Sequence, residues 1–125
     1  MKEKKKVGSF KELKIWKKAK ELVINSYKLT EIFPEKEKFI IIPQMNRAAL
    51  SIMANIAEGW GRDSKKEYLY FLNVAKGSLF ELDSFIEVSY DLKYISLKER
   101  EEILIKVLEI KVLLIKTIKK LKEKL

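Results

Sequence analysis

Residues 96–121 read SLKEREEILIKVLEIKVLLIKTIKKL and carry the pattern on which the fold depends. Ser96 and Glu99 stand three residues apart, the spacing at which a hydroxyl and a carboxylate cap the first turn of a helix. Apolar residues then recur every three or four positions, at Ile103, Val107, Ile110, Leu114, Ile118 and Leu121. This spacing places them on one face of an α-helix. The segment therefore predicts a long amphipathic helix over about 97–123.

The preceding residues contain the same signals. Ser9 with Glu12 and Ser64 with Glu67 form two further capping boxes, and each is followed by apolar residues at helical spacing. Three more helices are predicted, over about 10–32, 43–58 and 64–93. Because these four helices account for most of the chain, the expected fold class is all-α. Short connections between long helices favour antiparallel neighbours. We predict one antiparallel up-and-down four-helix bundle over residues 9–125, after a flexible basic tail at 1–8.

Proline and glycine mark the boundaries of the second helix. Pro34 follows the first helix, and Pro43 suits the first turn of the second, where a missing N–H costs nothing. Gly59 is interpreted as the stop of that helix. Gly77 lies in the middle of the third helix, opposite the alanine-rich second helix, and predicts a tight crossing between the two.

The composition favours one helical domain without catalytic chemistry. The chain has 125 residues, 47% of them apolar, with only four Gly and two Pro. It contains neither Cys nor His, which removes disulfides, thiolate nucleophiles and the commonest zinc ligands. We predict no catalytic residue, no metal site and no cofactor. No secretory signal or membrane-spanning stretch is evident, so a cytoplasmic protein is expected.

The fourth helix carries more apolar surface than one bundle can bury. Besides its core positions it has Leu104, Ile105, Leu108, Val112, Leu113 and Ile115, which point around most of its circumference. A helix that is apolar all round is buried on all sides. We therefore predict a homo-oligomer, in which a neighbouring subunit covers the outer face.

The second helix carries a polar stripe at intervals of three and four. It consists of Gln44, Arg47, Ser51, Asn55 and Glu58, with Arg62 just beyond the helix. The favoured interpretation is a paired polar seam between helices or subunits, in which Arg47 reaches Glu81 on the third helix. A groove for a ligand or nucleic acid is the alternative. Catalysis by Glu58 is disfavoured because a single carboxylate is not an active site.

Two segments of the chain resemble a known family. They are QMNRAALSIMANIAEGWGRDS (44–64) and KEYLYFLNVAKGSLFELDS (66–84), supported by FKELKIWKKAKELV at 10–23. Together they resemble the four-helix-bundle family of 23S rRNA intervening-sequence proteins. The chain departs from that pattern at Ile40, Ile42 and Pro43, before the second helix.

This resemblance implies a bundle that assembles as a ring, commonly a homopentamer. It also implies relatedness to the accessory proteins of diversity-generating retroelements, which engage a reverse transcriptase and nucleic acid. The function of the intervening-sequence members is poorly defined. A protein partner is therefore a further expectation drawn from the family.

The net charge of +9 comes mainly from the first helix, the fourth helix and the termini. Such a surface attracts polyanions, and no module that reads base sequence is evident. The residues predicted to contact nucleic acid are Lys14, Lys17, Lys18, Arg47, Arg62, Lys119 and Lys120.

The leading hypothesis is a non-enzymatic, homo-oligomeric basic scaffold that binds structured RNA or DNA through backbone contacts. One alternative is a protein–protein interaction adaptor without a nucleic-acid ligand. Another is a carboxylate-metal nuclease, which is disfavoured because metal sites in helical bundles typically use Glu-x-x-His pairs.

Overall fold

The computed structural model describes residues 8–125, which form four α-helices and no β-strand. The all-α class predicted from the sequence is confirmed. The predicted tail at 1–8 lies, apart from Gly8, outside the described residues. The helices are α1 (Lys14–Thr30), α2 (Ile41–Trp60), α3 (Lys65–Asp91) and α4 (Leu97–Glu123), with short 3-10 helices at Phe10–Glu12 and Glu35–Glu37.

Local capping sets the start of α3 and α4, as the sequence predicts. The backbone N–H of Glu99 donates to Ser96 Oγ at 3.1 Å, and the N–H of Ser96 donates to Glu99 Oε1 at 2.8 Å. This is a complete capping box. At α3 only half of the predicted box forms: the N–H of Glu67 donates to Ser64 Oγ at 3.1 Å, and no bond from the N–H of Ser64 to the Glu67 side chain is present among the described residues. Both helices therefore begin within one residue of the predicted positions.

The end of α3 is a Schellman motif built without glycine. The N–H of Tyr94 donates to the carbonyl of Ser89, and the N–H of Lys93 donates to that of Tyr90, both at 2.9 Å. Lys93 takes the left-handed conformation that this motif requires, with φ of 66°. The helix thus ends at Asp91, two residues before the predicted boundary.

The first helix starts later than predicted. Ser9 caps a 3-10 turn by accepting from the N–H of Lys11, and Leu13 is extended with ψ of 129°. The predicted capping box with Glu12 is therefore wrong. Phe10 folds back onto Trp16, with ring centroids 5.2 Å apart, and Phe10 and Leu13 both pack against the core. Burial of these side chains outweighs continuation of the helix.

The second helix is longer than predicted at both ends. It begins at Ile41, so Pro43 occupies its third position rather than its first. The missing N–H still costs nothing, because the first four N–H groups of a helix have no intrahelical acceptor. The helix continues through Gly59 to Trp60, and Gly61 is its C-cap. The interpretation of Gly59 as the helix stop is wrong.

The four helices pack in chain order around one core. Each helix contacts the next, and α4 closes the bundle against α1. All six predicted core positions of α4 are buried. The starts of α1 and α3 and the ends of α2 and α4 lie at the same end of the bundle, where Lys14, Trp60, Lys65 and Leu121 border one pocket. Within residues 8–125, no helix is long and apolar enough to cross a membrane.

The two glycines in the helices have roles opposite to those predicted. A Cβ on Gly59 would lie 2.9 Å from Phe71 Cβ, so α2 and α3 are in close contact here. A Cβ on Gly77 would meet nothing within 4 Å, and Gly77 is exposed. The tight crossing predicted at Gly77 is therefore wrong, and the glycine that permits it is Gly59.

A buried polar cluster links α1 to α2. Ser26 Oγ donates to Asn46 Oδ1 at 2.8 Å, and Asn46 Nδ2 donates to Thr30 Oγ1 at 3.2 Å. Thr30 Oγ1 in turn donates to the carbonyl of Tyr27 at 3.1 Å. All three side chains are buried, and each has a partner, as buried polar groups require.

Candidate nucleic-acid interface

Positive charge is concentrated at one end of the bundle. This end, called the basic end below, comprises residues 9–20, 55–70 and 113–125. Within these segments Lys and Arg outnumber Asp and Glu by thirteen to five. In residues 21–54 and 71–112, which form the rest of the bundle, acidic residues exceed basic ones by twelve to ten. The net charge is thus segregated along the bundle axis.

The first turns of α1 and the last turns of α4 supply this excess. Lys14, Lys17, Lys119 and Lys120 are exposed at the basic end, as helical spacing opposite the core predicts. Lys18 also lies there, but its ammonium is 3.5 Å from Glu109 and its side chain is less exposed. Five of the seven predicted contact residues therefore lie at this end on α1 and α4: Lys14 and Lys120 border one pocket, whereas Lys119 lies on the α3 side of α4, beside Lys76.

Arg62 occupies the same end in a different electrostatic setting. Its Nη2 lies 2.6 Å from Glu58 Oε2, and its guanidinium stacks 4.8 Å above the Phe71 ring. The α2–α3 region contributes no net charge, because Arg62, Lys65 and Lys66 are balanced by Glu58, Asp63 and Glu67. Arg62 is thus held by neighbouring side chains of its own chain.

Arg47 does not join this group. It lies on the exposed outer face of α2, in the half of the bundle where charges balance. Glu81 is also exposed, and in the described part of the chain no hydrogen bond or ion pair joins it to Arg47. The predicted pairing of Arg47 with Glu81 is absent.

Only the centre of the predicted polar seam is linked across the helices. The hydroxyls of Ser51 and Ser78 are 2.8 Å apart, and Asn55 Nδ2 donates to both the carbonyl and the hydroxyl of Ser51. Gln44, Arg47, Glu58 and Glu81 are exposed. The stripe therefore lies at the outer edge of the α2–α3 contact and is not a buried seam within one subunit.

A surface pocket opens at the basic end and contains residues that the sequence prediction missed. It has a volume of about 360 Å³ and lies between the first turn of α1, the α2–α3 region and the last turns of α4. Lys14 and Lys120 were predicted, whereas Lys65 and Lys124 join them only through the fold. The antiparallel topology is the signal that could have placed all four at one end.

Buried aromatic side chains form the base of this pocket. The Trp60 and Tyr68 rings meet edge to face with centroids 6.0 Å apart. Burial raises the pKa of Tyr68 to about 12. Both rings are held in the core, so the pocket has an apolar floor beneath a rim of lysine side chains.

Two carboxylates of the described residues, Glu58 and Glu37, are held by other side chains. Among residues 8–125, no group of three or more Asp or Glu side chains is placed to hold a metal ion. Glu58 is occupied by Arg62. At the opposite end, Tyr94 donates to Glu37 at 2.6 Å, and this hydrogen bond raises the pKa of Tyr94. That contact lies between two connecting segments and ties them together.

Comparison with known proteins places the chain in a family. A protein of unknown function from Bacteroides thetaiotaomicron, described as a member of the S23 ribosomal protein family, has a similar crystal structure. It is 28% identical, with a TM-score of 0.78, over 84% of this chain and 95% of the other. No curated protein matches the chain. The sequence model of the 23S rRNA-intervening sequence proteins matches residues 11–116, and the chain belongs to that family.

Proposed function

We propose that this protein is a non-enzymatic, cytoplasmic, homo-oligomeric scaffold that binds structured RNA or DNA through backbone contacts at its basic end. The observation that carries the proposal is the segregation of charge, thirteen basic against five acidic residues at one end of the bundle. Clustered lysines attract a polyanion without reading its sequence, and release of counterions drives the binding.

The proposal of an oligomer rests on a second observation, the exposed apolar side chains on the outer face of α4. Ile105, Leu108, Val112 and Ile115 follow one another at intervals of three and four, and they are 59%, 56%, 45% and 46% exposed. They lie on the side of α4 opposite its core positions, so the helix is apolar on two faces. This outer set is called the α4 ridge below. Burying the ridge against a second subunit would remove four branched side chains from water.

Side-by-side assembly would reinforce the basic end. If bundles pack through the α4 ridge with their axes parallel, every basic end points the same way. A contact between two different faces of the bundle closes into a ring when the rotation between subunits permits. The family resemblance favours five subunits. A basic surface built from several copies binds a nucleic acid at several phosphates together, which strengthens binding beyond that of one subunit.

Salt dependence tests the nucleic-acid proposal. The variant Lys14→Ala/Lys17→Ala/Lys119→Ala/Lys120→Ala removes four exposed charges from the basic end. The matched control, Lys36→Ala/Lys38→Ala/Lys93→Ala/Lys98→Ala, removes four exposed charges from the other end. Binding of a duplex probe is measured by fluorescence anisotropy across a salt series. Each phosphate contact that is lost lowers the slope of log K against log salt by about 0.9.

The first variant should show a smaller slope and weaker binding, whereas the control should resemble the wild type. Equal weakening by both variants would show that only total charge matters and would remove the basic end as the binding surface. Failure of the wild type to retain RNA or DNA at low salt would remove nucleic-acid binding itself.

A protein adaptor is the second candidate, favoured by an apolar patch at the opposite end. Phe39 and Ile40, in the segment before α2, are 85% and 65% exposed. A relationship to the accessory proteins of diversity-generating retroelements would fit such a partner. The discriminating measurement is purification with and without nuclease. A complex of fixed composition that survives nuclease treatment would favour the adaptor, and its loss would favour nucleic acid.

A further inference from the structure

The pocket at the basic end has two chemically distinct parts. Its floor is apolar and is formed by Leu13, Ile15, Trp60, Tyr68, Leu113 and Leu121. Its rim carries four lysines, Lys14 from α1, Lys65 from α3, and Lys120 and Lys124 from α4. None of the described residues that line it is acidic. This pocket is called the end slot below.

The arrangement selects a particular kind of ligand. A cationic rim around an apolar aromatic floor suits a flat apolar group joined to anionic groups. Nucleotides have this character, because the base is a flat ring that can pack against the apolar floor while lysines contact the phosphates. No carboxylate lies among the described residues that line the slot, so its lysine charges are not neutralised there by an acidic side chain.

A second pocket is larger than the end slot, but its lining charges do not suit an anionic ligand. The groove between the end of α1 and the start of α4 is larger, at about 500 Å³. However, Glu99, Glu102 and Glu109 line it, with two lysines. Phosphates are repelled by such a set of carboxylates. Charge complementarity therefore points to the end slot for a nucleic-acid ligand.

We propose that the end slot receives an unpaired base of the bound nucleic acid, while its rim lysines contact the flanking phosphates. A base within a duplex is paired and stacked, and entering the slot would cost its unstacking. Loops, bulges and strand ends present bases that are free to enter. The proposal rests on the nucleic-acid binding proposed above and assigns the form of nucleic acid that the basic end prefers.

Thr117 allows the slot to be filled without changing its charge. It lines the slot and is half-buried, and its hydroxyl donates to the carbonyl of Leu113 in its own helix at 2.8 Å. Thr117→Phe places an aromatic ring in the slot. Thr117→Val is the matched control, because it keeps the volume and removes only the hydroxyl. Circular dichroism and light scattering compare the fold and the oligomer of both variants with those of the wild type.

The probe is one labelled DNA of mixed sequence and about 20 nucleotides, used as a single strand and as a duplex. Thr117→Phe should weaken binding of the single strand about tenfold, the order of loss expected when one base is excluded from its contacts, and leave duplex binding unchanged. Thr117→Val should bind both forms as the wild type does. Equal weakening for the two forms, or no weakening of either, would overturn the proposal.

Fluorescence gives a readout that does not depend on filling the slot. In a Trp16→Phe variant, Trp60 is the remaining tryptophan and lies in the slot floor. Saturating single strand should quench Trp60, and the duplex should quench it less. Absence of quenching by bound single strand would overturn the slot while leaving the basic end as a backbone-binding surface. Absence of binding by either form at low salt would overturn both proposals.

Discussion

Gly59 of α2 lies so close to Phe71 of α3 that a Cβ added to the glycine would be 2.9 Å from the Cβ of Phe71. The same added atom would lie 2.9 Å from Tyr68 Cδ1 and 3.2 Å from the carbonyl oxygen of Tyr68. The carbonyl oxygen of Tyr68 belongs to the backbone, and the Cβ of Phe71 is bonded directly to it. Neither atom can move without shifting α3.

Gly59→Ala should therefore destabilise the protein. Overpacking at a rigid contact costs about 1–3 kcal/mol, which exceeds the roughly 1 kcal/mol that alanine gains over glycine within a helix. Urea unfolding followed by circular dichroism measures the change. Gly77→Ala is the matched control, because its Cβ meets nothing within 4 Å. It should leave stability unchanged or raise it by up to about 1 kcal/mol. Equal effects of both substitutions would contradict the packing described here.

Tyr68 predicts a loss of stability in alkaline solution. Burial raises its folded-state pKa from 10.0 to about 12, while the unfolded chain keeps the ordinary value. Between these two values the unfolded state releases a proton that the folded state retains, so the free energy of unfolding falls as pH rises. The full effect, reached near pH 12, is about 2–3 kcal/mol for a shift of two units.

The measurement is urea unfolding at several pH values from 8 to about 11.5, where the fall has begun. Tyr68→Phe removes the phenol and should flatten this part of the profile. The two proteins differ only in this phenol, so the contributions of all other groups cancel in the difference. An unchanged slope in Tyr68→Phe would show that another group causes the alkaline loss.

Local signals explain how much of the fold could be predicted. The capping box at Ser96 and Glu99 and the heptad-like spacing after it lie within a few residues of each other. They fix the start of α4 and its buried face. The late start of α1 could not be predicted in this way. It depends on Phe10 reaching Trp16, a contact whose value is set by burial against the rest of the bundle and not by helix propensity.

The same division applies to the candidate site. The exposed lysines of α1 and α4 follow from helical spacing alone. Lys65 joins Lys14 only because antiparallel packing brings the starts of α1 and α3 to one end of the bundle. Gly59 and Gly77 show the limit of single-residue rules. Both are glycines within helices, and only the three-dimensional neighbour decides which one is required.

The buried polar cluster predicts strong coupling between Ser26 and Asn46. Asn46→Ala leaves the hydroxyl of Ser26 and that of Thr30 buried with fewer partners, and should cost about 1–3 kcal/mol. Adding Ser26→Ala should cost less than it does alone, since its partner is already gone. A double-mutant cycle by urea unfolding measures this coupling, expected at about 1 kcal/mol. Strict additivity would show that the 2.8 Å contact contributes nothing to stability.

If the α4 ridge is the contact between subunits, a single charge placed on it should prevent assembly without affecting the fold. Val112 is 45% exposed on the outer face of α4, so Val112→Glu removes no core contact. In an oligomer that buries this face, the carboxylate loses its hydration without gaining a partner, which costs several kcal/mol. Light scattering should then show a monomer, and circular dichroism should show the helix content of the wild type.

Lys36→Glu, a charge change in the segment before α2, should leave the oligomer intact. If Val112→Glu keeps the wild-type mass, the ridge is not the contact between subunits. If the wild type is itself a monomer at micromolar concentration, the assembly is removed as well.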